Sequence, residues 1–384
     1  MNYWKKIKNS KNLLTLGSSD IIGGGVTALL WFYLASLMEA GVYGELQFMI
    51  SIASTTSVLS AFVTPTVITV YTSKNYKLES TLYFITLVIG VISSIIVIVL
   101  LSRLDVGLLI MAFLFNDLAI GYILGKKKYK EYAKYLLTQK ISAVILCLIL
   151  FYIGGTTGVI YGLFISYLPF LIIIYKRFRE TKIDFSQLKS RKEFIINNYL
   201  TSLAGLFRGQ IDSIIIGIVL GYSLLGNFAL SMQIYAVFMV IPNIIIRYLL
   251  PDASRGIENT NLKKLIIIFS TLLSGFGIFV TPEIVSQLLP QYIDTVLMIQ
   301  IMSLGVIPST ISLILQTMSH AKEKSRYVLI GRWLSAFVMI SGVFILGISY
   351  GAVGIAITFV LSSATLTVFL IASVYRKRIF NGAK

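Results

Sequence analysis

One cysteine, Cys147, and one histidine, His320, are all that the 384 residues hold of two common metal-ligand types. A disulfide framework and a cysteine-based metal centre are therefore excluded, and little room is left for histidine chemistry. Acidic residues are also scarce, 16 against 33 Lys and Arg, and charged residues of both signs make up only 13% of the chain. No Gly-x4-Gly-Lys-Ser/Thr run occurs, so ATP hydrolysis by that route is absent, and no His-Glu-x-x-His pattern suggests a zinc hydrolase. Long polar insertions are missing too. The longest outer loop expected runs from about 282 to 293, short for a membrane glycosyltransferase or polymerase, which needs an extramembrane loop with paired carboxylates or cations. No catalytic residue and no metal ligand set is expected; the chain reads as a non-enzyme.

What is present is apolar. Hydrophobic residues make up 57% of the sequence, and runs of membrane-spanning length recur from end to end. The basic N-terminal segment leads into a long apolar stretch with no small-residue cleavage pattern, and reads as a retained first helix. Twelve spans result. Among them, 43–72 carries Pro65 near its inner end, and 135–153 and 158–175 meet at a short turn. Further on, 225–250 is ended by Pro251, and 294–319, 327–350 and 352–375 complete the set. Pro65, Pro242, Pro282, Pro290 and Pro308 are candidate bends.

Charge placement tests the count. With the N-terminus cytoplasmic, all but two of the 33 basic residues fall at the inner side. Arg208 lies within a span, and Arg103 alone falls outside. That asymmetry is the positive-inside rule, and one helix more or fewer would destroy it. The net charge of +17 is thus mainly an orientation signal, aided by anionic lipids at the inner face, and not a nucleic-acid footprint.

The expected architecture is an all-α polytopic membrane protein with cytoplasmic N- and C-termini. Its twelve transmembrane helices form two six-helix lobes related as parallel repeats. The first lobe covers 1–175, a basic cytoplasmic connector 176–193, the second lobe 194–375 and a basic tail 376–384. Two turns support the repeat. Gly41-Val42-Tyr43-Gly44 and Gly226-Asn227-Phe228-Ala229 both read glycine, any residue, aromatic, small residue.

Polar residues inside spans are the candidate sites. Arg208 and Asp212 lie four apart on one helical face. A charge at mid-bilayer costs about 2.5–3.5 kcal/mol on insertion scales, so the pair should face protein or water. It is either a structural ion pair or a site where the guanidinium forks onto a phosphate or sugar acid. Asp20, just before Gly23-Gly24-Gly25, and Asp117, beside Asn116, are either helix-packing partners or, with Asp212, coupling sites for a proton or sodium ion. Gln47 and Gln233 are candidate partners for sugar hydroxyls, and equally candidates for helix contacts, as is Asn243.

The pattern Asp212-x4-Gly217, Leu220-Gly221, Gly226-x-Phe228-Ala229-Leu230 resembles helices 7 and 8 of the polysaccharide flippases. These are the O-antigen and capsule repeat-unit transporters of the multidrug/oligosaccharidyl-lipid/polysaccharide exporter superfamily. Met38-Glu39-Ala40-Gly41-Val42-Tyr43-Gly44 resembles their first-half turn without its usual proline, and Phe228 stands where a tyrosine is commoner. The resemblance implies a flippase in the cell (inner) membrane with no cofactor beyond a coupling ion. It would move polyprenyl-pyrophosphate-linked oligosaccharide by alternating access, among membrane lipids and polysaccharide-assembly proteins. A multidrug or small-solute exporter of the same superfamily and a membrane-embedded polysaccharide-assembly enzyme are the alternatives.

Overall fold

The computed structural model describes residues 3–206, 210–254, 260–321 and 325–381, and these form helices with no strand among them. In order they are α1 (Tyr3–Leu37), α2 (Ala40–Ser60), α3 (Pro65–Ser73), α4 (Glu79–Leu101), α5 (Leu104–Gly125), α6 (Tyr129–Tyr167), α7 (Leu171–Glu180), α8 (Lys192–Leu206), α9 (Ile211–Leu220), α10 (Tyr222–Ser254), α11 (Thr260–Phe279), α12 (Thr281–Leu288), α13 (Ile293–Leu304), α14 (Val306–Ala321), α15 (Ser325–Gly342) and α16 (Ile348–Asn381). Among the described residues seven helical segments are long and apolar enough to cross a membrane, or nine if α2 with α3 and α13 with α14 each make one span. Two of these segments, Tyr129–Glu180 and Arg326–Ser373, are long enough for two crossings each. Divided at their corners they bring the number to eleven among the described residues; the further span expected at 194–221 includes residues outside those described, with α8 on one side of them and the short apolar helix α9 on the other.

Three boundaries differ from expectation. The span 43–72 is broken at 61–64 and bends by 43°, because Pro65 starts a new helix instead of lying in the last turn of the old one. Thr64 caps that new helix, its hydroxyl accepting from the Val67 amide at 3.4 Å. The span 294–319 is likewise broken at Gly305 with a 43° bend. Pro251 does not end α10, which runs on to Ser254.

Chain contacts divide the molecule into two compact units. The first comprises 1–31 and 49–206, the second 32–48 and 207–384. In the first, the connector expected at 176–193 is docked along the start of α4. The Ser80 hydroxyl donates to the Arg177 and Thr181 carbonyls (3.1 and 2.8 Å), and the Asp184 amide donates to Thr81 Oγ1 (2.8 Å). Arg191 lies 4.4 Å over the Tyr76 ring, a cation–π contact that fixes its far end. At the beginning of α5, Arg103 forks onto Asp105 (2.9 and 2.7 Å). The one cation that broke the inside pattern is therefore neutralised.

The second unit contains the tip where α1 passes into α2. The last carbonyls of a helix have no partner within it. Here Gln291 Nε2 donates to Ala35 O (3.2 Å) and Ser36 O (3.3 Å), and Tyr292 Oη to Met38 O (3.2 Å). Where α2 crosses α10, a Cβ on Gly44 would collide with the Tyr222 carbonyl oxygen, and one on Gly226 with the Ala40 carbonyl oxygen. The contact is reciprocal, each glycine seated on the first turn of the other helix. It pairs Gly44 with Gly226. Between membrane helices lipid offers no hydrophobic drive, so close backbone approach and dispersion hold such a crossing.

Beside it, Asn227 fastens the start of α13. Its Oδ1 accepts from the Thr295 amide and hydroxyl (both 3.0 Å), while its Nδ2 donates to Ser223 O (2.9 Å). Asn227→Leu removes the side-chain acceptor shared by the Thr295 amide and hydroxyl, leaving them Tyr292 O and Asn227 O (both 3.1 Å), and is expected to lower stability by about 1 kcal/mol. Thermal unfolding in detergent checks this; an unchanged midpoint would refute the role.

Each unit also contains the same corner. Gly155 at the middle of α6 has φ +59° and Gly351 at the start of α16 has φ +55°, a region that L side chains rarely adopt. Three residues on, a Cβ on Gly158 would strike the Leu150 carbonyl oxygen, and one on Gly354 the Leu346 carbonyl oxygen. Two successive spans thus turn back on each other through Gly-x-x-Gly with no loop between them.

Candidate functional site

Within the second unit a cavity of about 270 Å³ lies among α9, α10, α15 and α16. Asp212 enters it from the first turn of α9, buried, with its Oδ1 accepting from the Ser213 amide at 2.9 Å. A helix N-terminus presents unpaired amides and the positive end of its dipole, which suits a carboxylate. Arg332 of α15 lines the same cavity. Its Nε and Nη2 both donate to Oε1 of the buried Gln316 of α14, at 3.2 and 2.9 Å, so one amide oxygen sets the plane of the guanidinium.

The remaining wall is built to hold its shape. Ser335 and Ser362 exchange hydrogen bonds across α15 and α16, each hydroxyl reaching the other residue's carbonyl at 2.8 Å. Tyr235 donates to Gly305 O at 3.3 Å and meets Phe359 edge to face at 4.8 Å. Carboxylate, guanidinium and hydroxyls thus share one pocket otherwise walled by Met232, Met339 and the two rings. Chemically it can take an anion on the cation, a cation on the carboxylate, or a polyol on the hydroxyls.

Of the residues expected from sequence, Asp212 lines this cavity and Arg208 lies outside the described residues. Gln233 of α10 and Gln47 of α2 are half-buried in the same unit but do not line it. Asp20 and Asp117 belong to the first unit. Asp20 accepts from Tyr132 Oη at 2.8 Å, and Asp117 from Asn116 Nδ2 at 3.2 Å. Asn243 bonds within its own helix, to Met239 O at 2.7 Å. Among the described residues no three His, Cys, Asp or Glu side chains group as metal ligands.

Sequence reasoning misses Arg332, Gln316 and the serine pair. Arg332 counts there only as one of the inner positive charges. Its flanks, Leu329-Ile330-Gly331 before and Trp333-Leu334 after, are the available signal that it belongs inside a span.

No family model matches the chain, and no curated protein does. Solved structures do. The lipid II flippase MurJ in an inward closed conformation is similar with a TM-score of 0.74 at 12% identity, over 94% of this chain and 87% of that one. An inward-facing multidrug resistance MATE family transporter of the MOP superfamily is similar with a TM-score of 0.69 at 13% identity, over 94% and 95%. A MOP superfamily transporter from Pyrococcus furiosus, described as having a binding pocket of reversed polarity, is similar with a TM-score of 0.62 at 13% identity, over 95% of each chain. This multi-pass membrane chain is therefore built on the transporter fold that a lipid flippase and the multidrug exporters of the MOP superfamily share.

Proposed function

We propose that the protein is a flippase translocating lipid-linked oligosaccharide across the cell membrane by alternating access, and that it is not an enzyme. The observation that carries this reading is the Arg332 guanidinium, forked by Gln316 into a hydroxyl-lined cavity within a membrane-spanning unit. A cation within a membrane-spanning segment calls for a functional account. A glycan carried on pyrophosphate offers both the anion that a guanidinium grips in bidentate fashion and the hydroxyls that serines recognise. A cavity of about 270 Å³ accommodates a phosphate or a sugar ring, not a whole repeat unit, and acts as one subsite of a longer path. The termini are cytoplasmic in this reading, and Asp20, Asp117 and Asp212 are the groups through which a proton or sodium gradient would couple. Polysaccharide-assembly proteins are the natural neighbours of such a flippase. A second reading, export of a cationic small solute, is favoured by the buried Asp212 carboxylate in the same cavity.

Depletion of the protein in its host is expected to remove surface glycan while lipid-linked repeat units accumulate at the inner leaflet. Intact surface glycan with no accumulation, together with acquired sensitivity to cationic compounds, would move the assignment to the second reading.

A further inference from the structure

The first unit holds a cation that the cavity of the second does not involve. Lys140 lies within α6, eight residues beyond Tyr132, about 12 Å further along the axis. Side chains on a helix tilt toward its N-terminus, so the lysine stem runs back in the direction of Tyr132. It does so across α1: the Lys140 Cγ is 3.4 Å from where a Cβ on Gly23 would stand, and Leu136 fills the same notch at 3.7 Å. The missing side chain at position 23 is what makes room for the stem. On the same helix α1, a Cβ on Gly24 or Gly25 would meet nothing within 4 Å.

The carboxylate on this face, Asp20, accepts from Tyr132 through Oδ1 at 2.8 Å. Lys140 makes no hydrogen bond or ion pair among the described residues. Other basic residues of the first unit do have partners: Lys126 donates to Asn75 at 3.1 Å, Lys128 to Glu131 at 2.8 Å, and Arg177 pairs with Glu180. Lys130 and Lys134 are exposed and need none.

We infer that Lys140, seated over Gly23 on the α1–α6 face, is a binding site for a lipid phosphate. An ammonium on a stem folded back along its helix comes to the level at which phosphates border the acyl region. A compact, strongly hydrated charge suits a phosphate as a point partner. The phosphate can come from an anionic phospholipid headgroup or from a polyprenyl pyrophosphate. The first source stands whatever the protein transports, while the second rests on the flippase reading.

The test uses the full-length protein in phosphatidylcholine nanodiscs, with binding followed by native mass spectrometry. One arm adds phosphatidylglycerol, the other polyprenyl pyrophosphate bearing no sugar. Lys140→Gln is expected to weaken one of the two by about tenfold or more, with Lys140→Arg restoring it, since a charge-assisted hydrogen bond is lost and regained. Loss confined to phosphatidylglycerol assigns the site to bulk lipid, and loss confined to the pyrophosphate assigns it to substrate. Loss of both assigns a general phosphate site. Unchanged binding in both arms overturns the inference, and so does an equal loss in the exposed control Lys134→Gln, which would mean diffuse surface charge. Because the readout is binding, failure of translocation in a separate assay leaves this result standing.

Discussion

The Gly226→Leu protein, and equally Gly44→Leu, is expected to lose about 3 kcal/mol or more of stability, the upper range for overpacking a tight contact. The reason is what the new side chain meets. At both positions even a Cβ collides with main chain of the opposite helix, not with a side chain that can turn aside. The two helices must separate, and with them go the Asn227–Thr295 fastening and the Gln291 and Tyr292 bonds onto the end of α1. Gly41→Ala is the matched control. Nothing lies within 4 Å of its Cβ position, and alanine is the better helix former by about 0.5–1 kcal/mol, so that protein should be unchanged or slightly more stable. Tryptophan fluorescence during thermal unfolding in detergent separates the two. A Gly226→Leu protein melting with the wild type would remove the crossing from the account of this fold.

Arg332→Gln should depress translocation of lipid-linked oligosaccharide in proteoliposomes by about ten- to a hundredfold, the worth of one charged hydrogen-bonding group. Arg332→Lys keeps the charge but not the planar fork, and should fall between that variant and wild type. Gln316→Leu leaves the charge in place but removes the acceptor that sets its plane, so it should raise the substrate concentration needed for half-maximal rate more than it lowers the maximal rate. If Arg332→Gln melts with wild type and also transports like it, the guanidinium serves neither stability nor substrate, and the flippase reading loses its main support.

The twelve spans are legible in the sequence because a run of some twenty apolar residues means one thing in a lipid solvent, and because misplacing a single span would scatter the lysines and arginines. Asp212 is legible for the same reason: a carboxylate in an apolar run stands out. Other features depend on partners the linear pattern does not name. Pro65 is visible, but whether a proline bends, starts or merely rides within a helix depends on what satisfies the neighbouring main chain. Pro65 opens a helix capped by Thr64, whereas Pro251 lies inside one. The segments 41–44 and 226–229 read as turns by their spelling, yet both lie in the first turns of helices, where packing brings Gly44 onto Gly226. Composition tells that a helix needs a small residue, not which backbone it will meet. Arg332 is hidden by its usefulness to the charge count, since a cation a few residues inside a helix looks the same as one at its mouth until a cavity and a Gln316 appear beside it.

The two Gly-x-x-Gly corners at 155–158 and 351–354 have a mechanical consequence. Neighbouring spans joined without slack, through one left-handed residue and a carbonyl pressed against bare backbone, cannot slide or tilt separately; each such pair swings as one stiff lever. Bending is then left to the places where a span is already interrupted, at 61–64 in the first unit and at Gly305 in the second.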